Sequence, residues 1–391
     1  MNIDQNYLLT RLVEMVQIDS RNPSLTAGAP GEAEMAQYMA DHLADLGLAV
    51  SVFEPEKGRP NVIGILKGTG GGRSLLLNAH MDTVGFEGMD APLSAELRDG
   101  RLYGRGSQDM KGSLAAILAA VKALVDSGVQ LAGDVMVTAV SDEEYASIGS
   151  EDIVKHFSAD AAIVTEPTDM ALCRAHRGFI WYQVTTHGRA AHGSRYQEGI
   201  DANMRMGRFL ARLDELEQSL RKGPHQRMGT HHLAGPPSLH ASLLQGGTEL
   251  SIYAAQCTLK LERRTIPGET AESTQAELAA IIETLAAEDA TFQATLQPLF
   301  ERPPFEVEAH APIVQVMDQV MAEKLGQRRP HVGATFWTDA AIFAAAGIET
   351  ALLGPVGAGL HSAVEWVDVQ SLNDLAAVLA GVCVEYCTMS D

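Results

Sequence analysis

Three short apolar runs in this chain each stop on groups that bind protons or cations, and a fourth leads to another. "SLLLNAHMD" closes on His80 and Asp82, "DVMVTAVSDEE" on Asp142, Glu143 and Glu144, and "AAIVTEP" on Glu166. "IETALLGP" runs on to His361 in "VGAGLHSAVEW". Helical patterns such as "GEAEMAQYMADHLADLG" and "KGSLAAILAAVKALVDSG" alternate with these runs. Continuous apolar strands that alternate with helices fold into a buried, largely parallel sheet. The carboxyl ends of its strands form one rim, where ligands bind. Histidines and carboxylates from distant parts of the chain are therefore expected at one edge. Adjacent carboxylates there repel one another unless a cation lies between them.

Asp109 joins this set from the Gly-rich loop "GRLYGRGSQDMKG", just ahead of a helix. His80 and Asp82 are two residues apart on a strand and face the same way, so Asp82 can lie beside the His80 ring. Imidazole with carboxylate suits Zn²⁺ or a similar divalent ion. Two ions sharing one bridging carboxylate would account for the density of acids. Rival chemistries are missing: the chain has no H-E-x-x-H and no G-x-S-x-G, the signatures of helix-borne zinc proteases and of α/β-hydrolase serines. "KGTGGGRS" lacks the ending of a phosphate loop and reads as a hairpin turn.

At 391 residues the chain is too long for one ordinary core. From Phe179 the element order changes to β-α-β-β-α-β, a ferredoxin-like unit. The expected architecture is an α/β catalytic domain with a mostly parallel sheet and helices on both faces, made from both ends of the chain (1–176 and 299–391), with an α+β domain inserted between (177–298). The formal charge of −21 argues against nucleic acid or an anionic membrane as partner. No apolar stretch approaches the ~18 residues that span a bilayer. The N-terminus lacks a secretory pattern. The four cysteines form no C-x-x-C and point to a reducing compartment, so a cytoplasmic location is expected. Cys383 and Cys387, one helical turn apart, read as core packing.

The blocks "NAHMDTV", "GRGSQDMKG", "SDEEYASIGS", "TEP", "GRAAHGS", "LERRTIPGE" and "GLHSAVEW" resemble, in order and over nearly the whole chain, the di-zinc hydrolases that include acetylornithine deacetylase, succinyl-diaminopimelate desuccinylase, aminoacylase and glutamate carboxypeptidase. The resemblance implies two Zn²⁺ per subunit, with Co²⁺ or Mn²⁺ as alternatives. Asp109 would bridge them, His80 and Glu166 would hold one, and Glu144 and His361 the other. Asp82 would orient the His80 ring, and Glu143 would be the general base. His192 would stabilise the oxyanion, and Arg264 would grip a substrate carboxylate. The resemblance further implies a cis Asp109–Met110 peptide and a homodimer formed through the inserted lid, with His192 reaching the neighbouring subunit's site.

Glu166, where related aminopeptidases carry Asp, implies a deacylase or carboxypeptidase acting on an N-acyl amino acid or dipeptide. Deacetylation is the first expectation and desuccinylation the second. A metallo-carboxypeptidase or dipeptidase is the alternative, and an inactive metal-binding homologue is the alternative of a different class. The chain departs from the family pattern at Glu262, often Asp, and at Ser251 and Ala254, commonly Asn and Pro. These departures bear on the substrate more than on the reaction.

Overall fold

The computed structural model describes residues 1–221 and 230–389, and the chain divides into two compact units. The first comprises Met1–Arg174, Val307–Val332 and Thr338–Asp391, and the second Ala175–Glu306 and Gly333–Trp337. The second unit runs beyond residue 298 because the strand Gln293–Arg302 pairs along its length with Gly178–His187. Pro298 does not end that strand. The register shifts between Pro298 and Phe300, on an edge strand where a missing N–H is tolerated.

The main sheet of the first unit is mixed. Its order runs Ala49–Glu56, Arg59–Leu66, Val135–Val140, Leu75–His80, Ala161–Val164, Glu349–Leu352, Leu172–His176. Leu75–His80 is parallel to both its neighbours, and Glu349–Leu352 is parallel to Ala161–Val164. The flanking pairs are antiparallel. The central strands are buried along their whole length, as their continuous apolar sequences require. Because three of them are parallel, His80 at the end of its strand, and the Asp142–Glu144 loop and Glu166 just beyond theirs, lie on one rim.

The helix Gly112–Ser127 is buried over most of its length and stops at Gly128, whose φ of 66° closes it in the left-handed region. The C-terminal helix Val369–Cys387 buries Cys383 and Cys387 in its packed face. The glycine run at 67–74 is not a hairpin. It links Arg59–Leu66 to Leu75–His80, which lie on opposite sides of Val135–Val140. Gly68 and Gly70 donate to Asp134 and to the Ala132 carbonyl. A Cβ on Gly68 would lie 2.4 Å from the Gly133 oxygen, so the run permits two backbones to touch.

The second unit has the expected ferredoxin-like order. Its strands lie as Ser238–Gly246, Gln256–Thr265, Gly178–His187, Gln293–Arg302, all antiparallel. Alternate residues of Gly178–His187 face inward, and Ile180, Tyr182 and Val184 pack with Phe209 and Leu278 of the helices Ala202–Arg221 and Ala271–Glu288. The second helix begins with a capping box between Thr270 and Ser273. No helix among the described residues is long and apolar enough to cross a membrane.

Candidate metal centre

The rim of the first unit gathers His80, Asp82, Asp109, Glu143, Glu144, Glu166 and His361. Asp109 stands between the histidines. Its Oδ1 is 3.1 Å from His80 Nε2, and its Oδ2 is 3.4 Å from His361 Nε2. His361 Nε2 also lies 2.9 Å from Glu144 Oε2. On the other side, His80 Nε2 is 3.7 Å from Glu166 Oε1 and 4.0 Å from Glu143 Oε2. Two sets of ligand atoms lie within 4.8 Å of one another: His80 with Asp109 and Glu144, and His80 with Glu143 and Glu166. His80 is buried, while the His361 side chain is 54% exposed. The Asp109–Met110 peptide is cis.

Asp82 differs in detail from its expected place. The His80 Nδ1 hydrogen bond, at 2.9 Å, goes to the Asp82 main-chain carbonyl, and the nearest carboxylate oxygen is 3.6 Å away. The carboxylate itself accepts the amides of Glu143 and Glu144, at 3.1 and 3.2 Å. One residue thus holds the His80 ring and the acidic loop together.

The electrostatics have one theme. Burial and the Glu166 charge hold the Glu143 carboxyl well above its usual range. Burial and Asp109 push Glu144 up to about 7 and also raise Glu166. Hydrogen bonds to Asp109 and Glu144 lift His361 to about 10. Burial opposes charge on His80, yet Asp109, Glu166 and Glu143 still raise it well above the imidazole norm. Asp109 alone is depressed, because despite burial its bonds to His361 and His80 favour the anion. Protons here stand where cations would serve better. Two imidazole nitrogens among several carboxylate oxygens also form a donor set suited to Zn²⁺. The residues therefore fit a divalent metal centre.

Sequence reasoning missed what holds the acidic loop. Asp142 takes a left-handed backbone, with φ 67°, and turns inward. Its Oδ1 accepts Arg59 Nη2 at 2.7 Å, and the same nitrogen reaches Glu32 Oε1 at 2.7 Å. Asn22 Nδ2 bridges Asp82 Oδ2 at 2.8 Å and Asp142 Oδ1 at 3.0 Å. Asp339 was missed too. It opens the short helix Ala340–Ala345 without capping it, and its Oδ2 accepts Ser150 Oγ at 2.5 Å. Burial pushes it up to about 6, and its charge adds to the rise of Glu143 and Glu166. An Asp at a helix start reads as an ordinary cap, which hides it in the sequence.

His192 and Arg264 belong to the second unit. His192 is exposed, and its Nδ1 lies 2.9 Å from Ser194 Oγ. The neighbouring Gly193 amide donates to the Ser251 carbonyl at 2.7 Å, so the segment with the unusual Ser251 and Ala254 clasps the His192 loop. Arg264 donates from Nε to Glu262 Oε1 at 2.6 Å and lies 5.1 Å from the Phe179 ring centre. Glu262 also accepts Trp181 Nε1 at 2.9 Å.

Comparison with known proteins places this geometry. The sequence profile of peptidase family M20/M25/M40 matches residues 76–385. Acetylornithine deacetylase of Myxococcus xanthus is 30% identical, over 97% of this chain and 96% of its own length. An N-formyl-4-amino-5-aminomethyl-2-methylpyrimidine deformylase of Bacillus subtilis is 25% identical, over 96% and 95%. In structure, the chain is similar to a tripeptidase of Staphylococcus aureus, with a TM-score of 0.82, 20% identity and full coverage of both chains. The chain belongs to peptidase family M20/M25/M40.

Proposed function

We propose that this M20 family hydrolase removes the acyl group from N-acyl amino acids, with deacetylation the first expectation and desuccinylation the second. The observation that carries the two-metal reading is Asp109, whose two oxygens face His80 and His361 separately. Similarity to an acetylornithine deacetylase along the whole chain favours removal of a simple acyl group over peptide cleavage. His80, Glu166 and Asp109 would hold one ion, and Glu144, His361 and Asp109 the other. Bound divalent ions, Zn²⁺ first and Co²⁺ or Mn²⁺ as alternatives, would supply Lewis acidity for the attacking water and the acyl carbonyl.

The chain's own residues do the rest. Glu143 accepts the proton of the attacking water and delivers it to the leaving amine. Asp82 fixes the His80 ring and the amides of Glu143 and Glu144. His192 donates to the developing oxyanion, and the Arg264 guanidinium receives the substrate carboxylate. The chain would act as a cytoplasmic homodimer through the second unit. Its strand Ser238–Gly246 is a sheet edge with Leu243 and Leu244 exposed, a surface suited to strand pairing with a second copy.

The test is turnover by metal-loaded protein on N-acetyl, N-succinyl and N-formyl amino acids and on dipeptides. The highest kcat/KM is expected for an N-acetyl amino acid. Preference for dipeptides would replace this reading with the peptidase alternative, and two bound ions without turnover on the panel would overturn it.

A further inference from the structure

Asp109 and His361 lie far apart in sequence, yet they hang from one short ladder. The strand Trp366–Asp368 pairs antiparallel with Arg101–Tyr103, with Trp366 opposite Tyr103. Glu365 is the last residue before that ladder on the His361 side. The Gly104 amide donates to its main-chain carbonyl at 3.2 Å.

The Glu365 side chain is fully buried and points across the ladder into the loop that carries Asp109. Its Oε1 accepts the amides of Gln108 at 2.9 Å and Asp109 at 3.1 Å. Its Oε2 accepts the Gly106 amide at 3.1 Å and Arg105 Nη1 at 2.7 Å. The left-handed Gly106, with φ 79°, lets these amides converge on one anion. Arg105 extends the clasp. Its Nη2 donates to the Ser362 carbonyl at 3.0 Å, next to His361, and its Nε to the Gly85 carbonyl at 2.9 Å. Both oxygens of one carboxylate are thus occupied in holding the backbone of one candidate ligand to the loop of another.

We propose that Glu365 is a positioning residue of the metal centre, clamping the Asp109 loop to the His361 loop and so setting the spacing between those two ligands. The proposal rests on the reading that Asp109 and His361 serve a common ion. It differs from a simple stabilising role for the Arg105–Glu365 pair. Such a role predicts lower folding stability with unchanged metal affinity in whatever protein is folded.

Glu365→Gln separates the two. Whichever way the amide turns, its NH₂ group faces N–H donors, either Gln108 and Asp109 or Gly106 and Arg105. Metal-free protein, shown to be folded by circular dichroism, would be titrated with Co²⁺ against a competing chelator, and the visible Co²⁺ spectrum recorded. Amide hydrogen exchange of residues 104–109 would be measured on the same samples. Wild type should bind two ions. The variant should hold at least one of them about 10–100-fold more weakly, the usual effect of removing a group that orients a ligand, with an altered spectrum and faster exchange at 106–109. Should Glu365→Gln fail to fold, Glu365→Asp keeps the charge but is too short to reach both sets of donors, and it should show the same pattern. Two ions in wild type, with affinities and spectrum unchanged in a folded variant, would overturn the positioning role. A wild type that binds fewer than two ions would instead overturn the two-metal reading, and this inference with it.

Discussion

Arg59 donates from Nη2 to Asp142 Oδ1 at 2.7 Å, with both side chains buried behind the acidic loop. This pair explains why three acids stand in a row. Asp142 is turned inward and neutralised, which leaves Glu143 and Glu144 on the rim. Glu32 shares the same guanidinium. Arg59→Met would strand two buried carboxylates facing each other. Loss of one partner from a buried pair costs about 3–5 kcal/mol. Denaturant unfolding of the metal-free protein should show a loss of that size, with Arg59→Lys in between. An unchanged midpoint would mean the network is dispensable.

Glu143→Gln should lower kcat by roughly 10²–10⁴, the usual contribution of a general base, while metal content stays near two equivalents. The amide keeps the shape but cannot take a proton. Elemental analysis decides the outcome. Lost metal would make Glu143 a ligand, an arrangement its closeness to His80 and Glu166 also permits.

The cluster of histidines and carboxylates on the rim is legible in sequence because strand ends and polar residues coincide at His80, Glu143, Glu144 and Glu166. The ferredoxin-like order is legible because its periodicity breaks sharply after Phe179. What supports the rim is not legible. Arg59, Glu32 and Asn22 come from separate elements and meet only through the fold. Asp339 looks like a helix cap and Glu365 like one more acid in an acidic chain. The glycines at 67–74 look like a turn, because close backbone approach leaves no periodic trace.

The metal-free protein should lose stability as pH rises. Glu144 is raised to about 7 in the folded state, so its contribution is present below its unfolded pKa and fades as pH rises towards 7. His361 is raised to about 10, so its contribution holds below the unfolded histidine value and fades as pH rises towards 10. Melting temperatures of metal-free protein should fall between about pH 5 and 7; above pH 7 the loss at His361 is opposed by Lys111, which burial lowers to about 7, so that its contribution returns as pH rises. Zn²⁺ should flatten the profile and release protons on binding. A metal-free profile that rises across this window would contradict the assignment.

Arg264→Ala should raise KM strongly for substrates with a free α-carboxylate and much less for the corresponding amides. Lys at this position should rescue only in part, because a point charge lacks the planar fork. Arg264 also pairs with Glu262 and lies over Phe179. Equal losses on acids and amides would therefore assign it to that local packing.

His192→Ala should lower kcat by roughly 10²–10³, the effect of removing one oxyanion donor, with metal content unchanged. A histidine that only closes its turn on Ser194 predicts full activity instead. The homodimer reading allows a sharper test. His192→Ala and Glu143→Gln proteins, each inactive alone, would be mixed and allowed to exchange subunits. A mixed dimer holds one site with Glu143 intact from one chain and His192 intact from the other. If each site is built from two subunits, activity returns to about a quarter of wild type, since half the dimers are mixed and each has one good site. Exchange can be followed by mass spectrometry of differently labelled chains. Exchange without recovered activity would show that His192 serves its own chain.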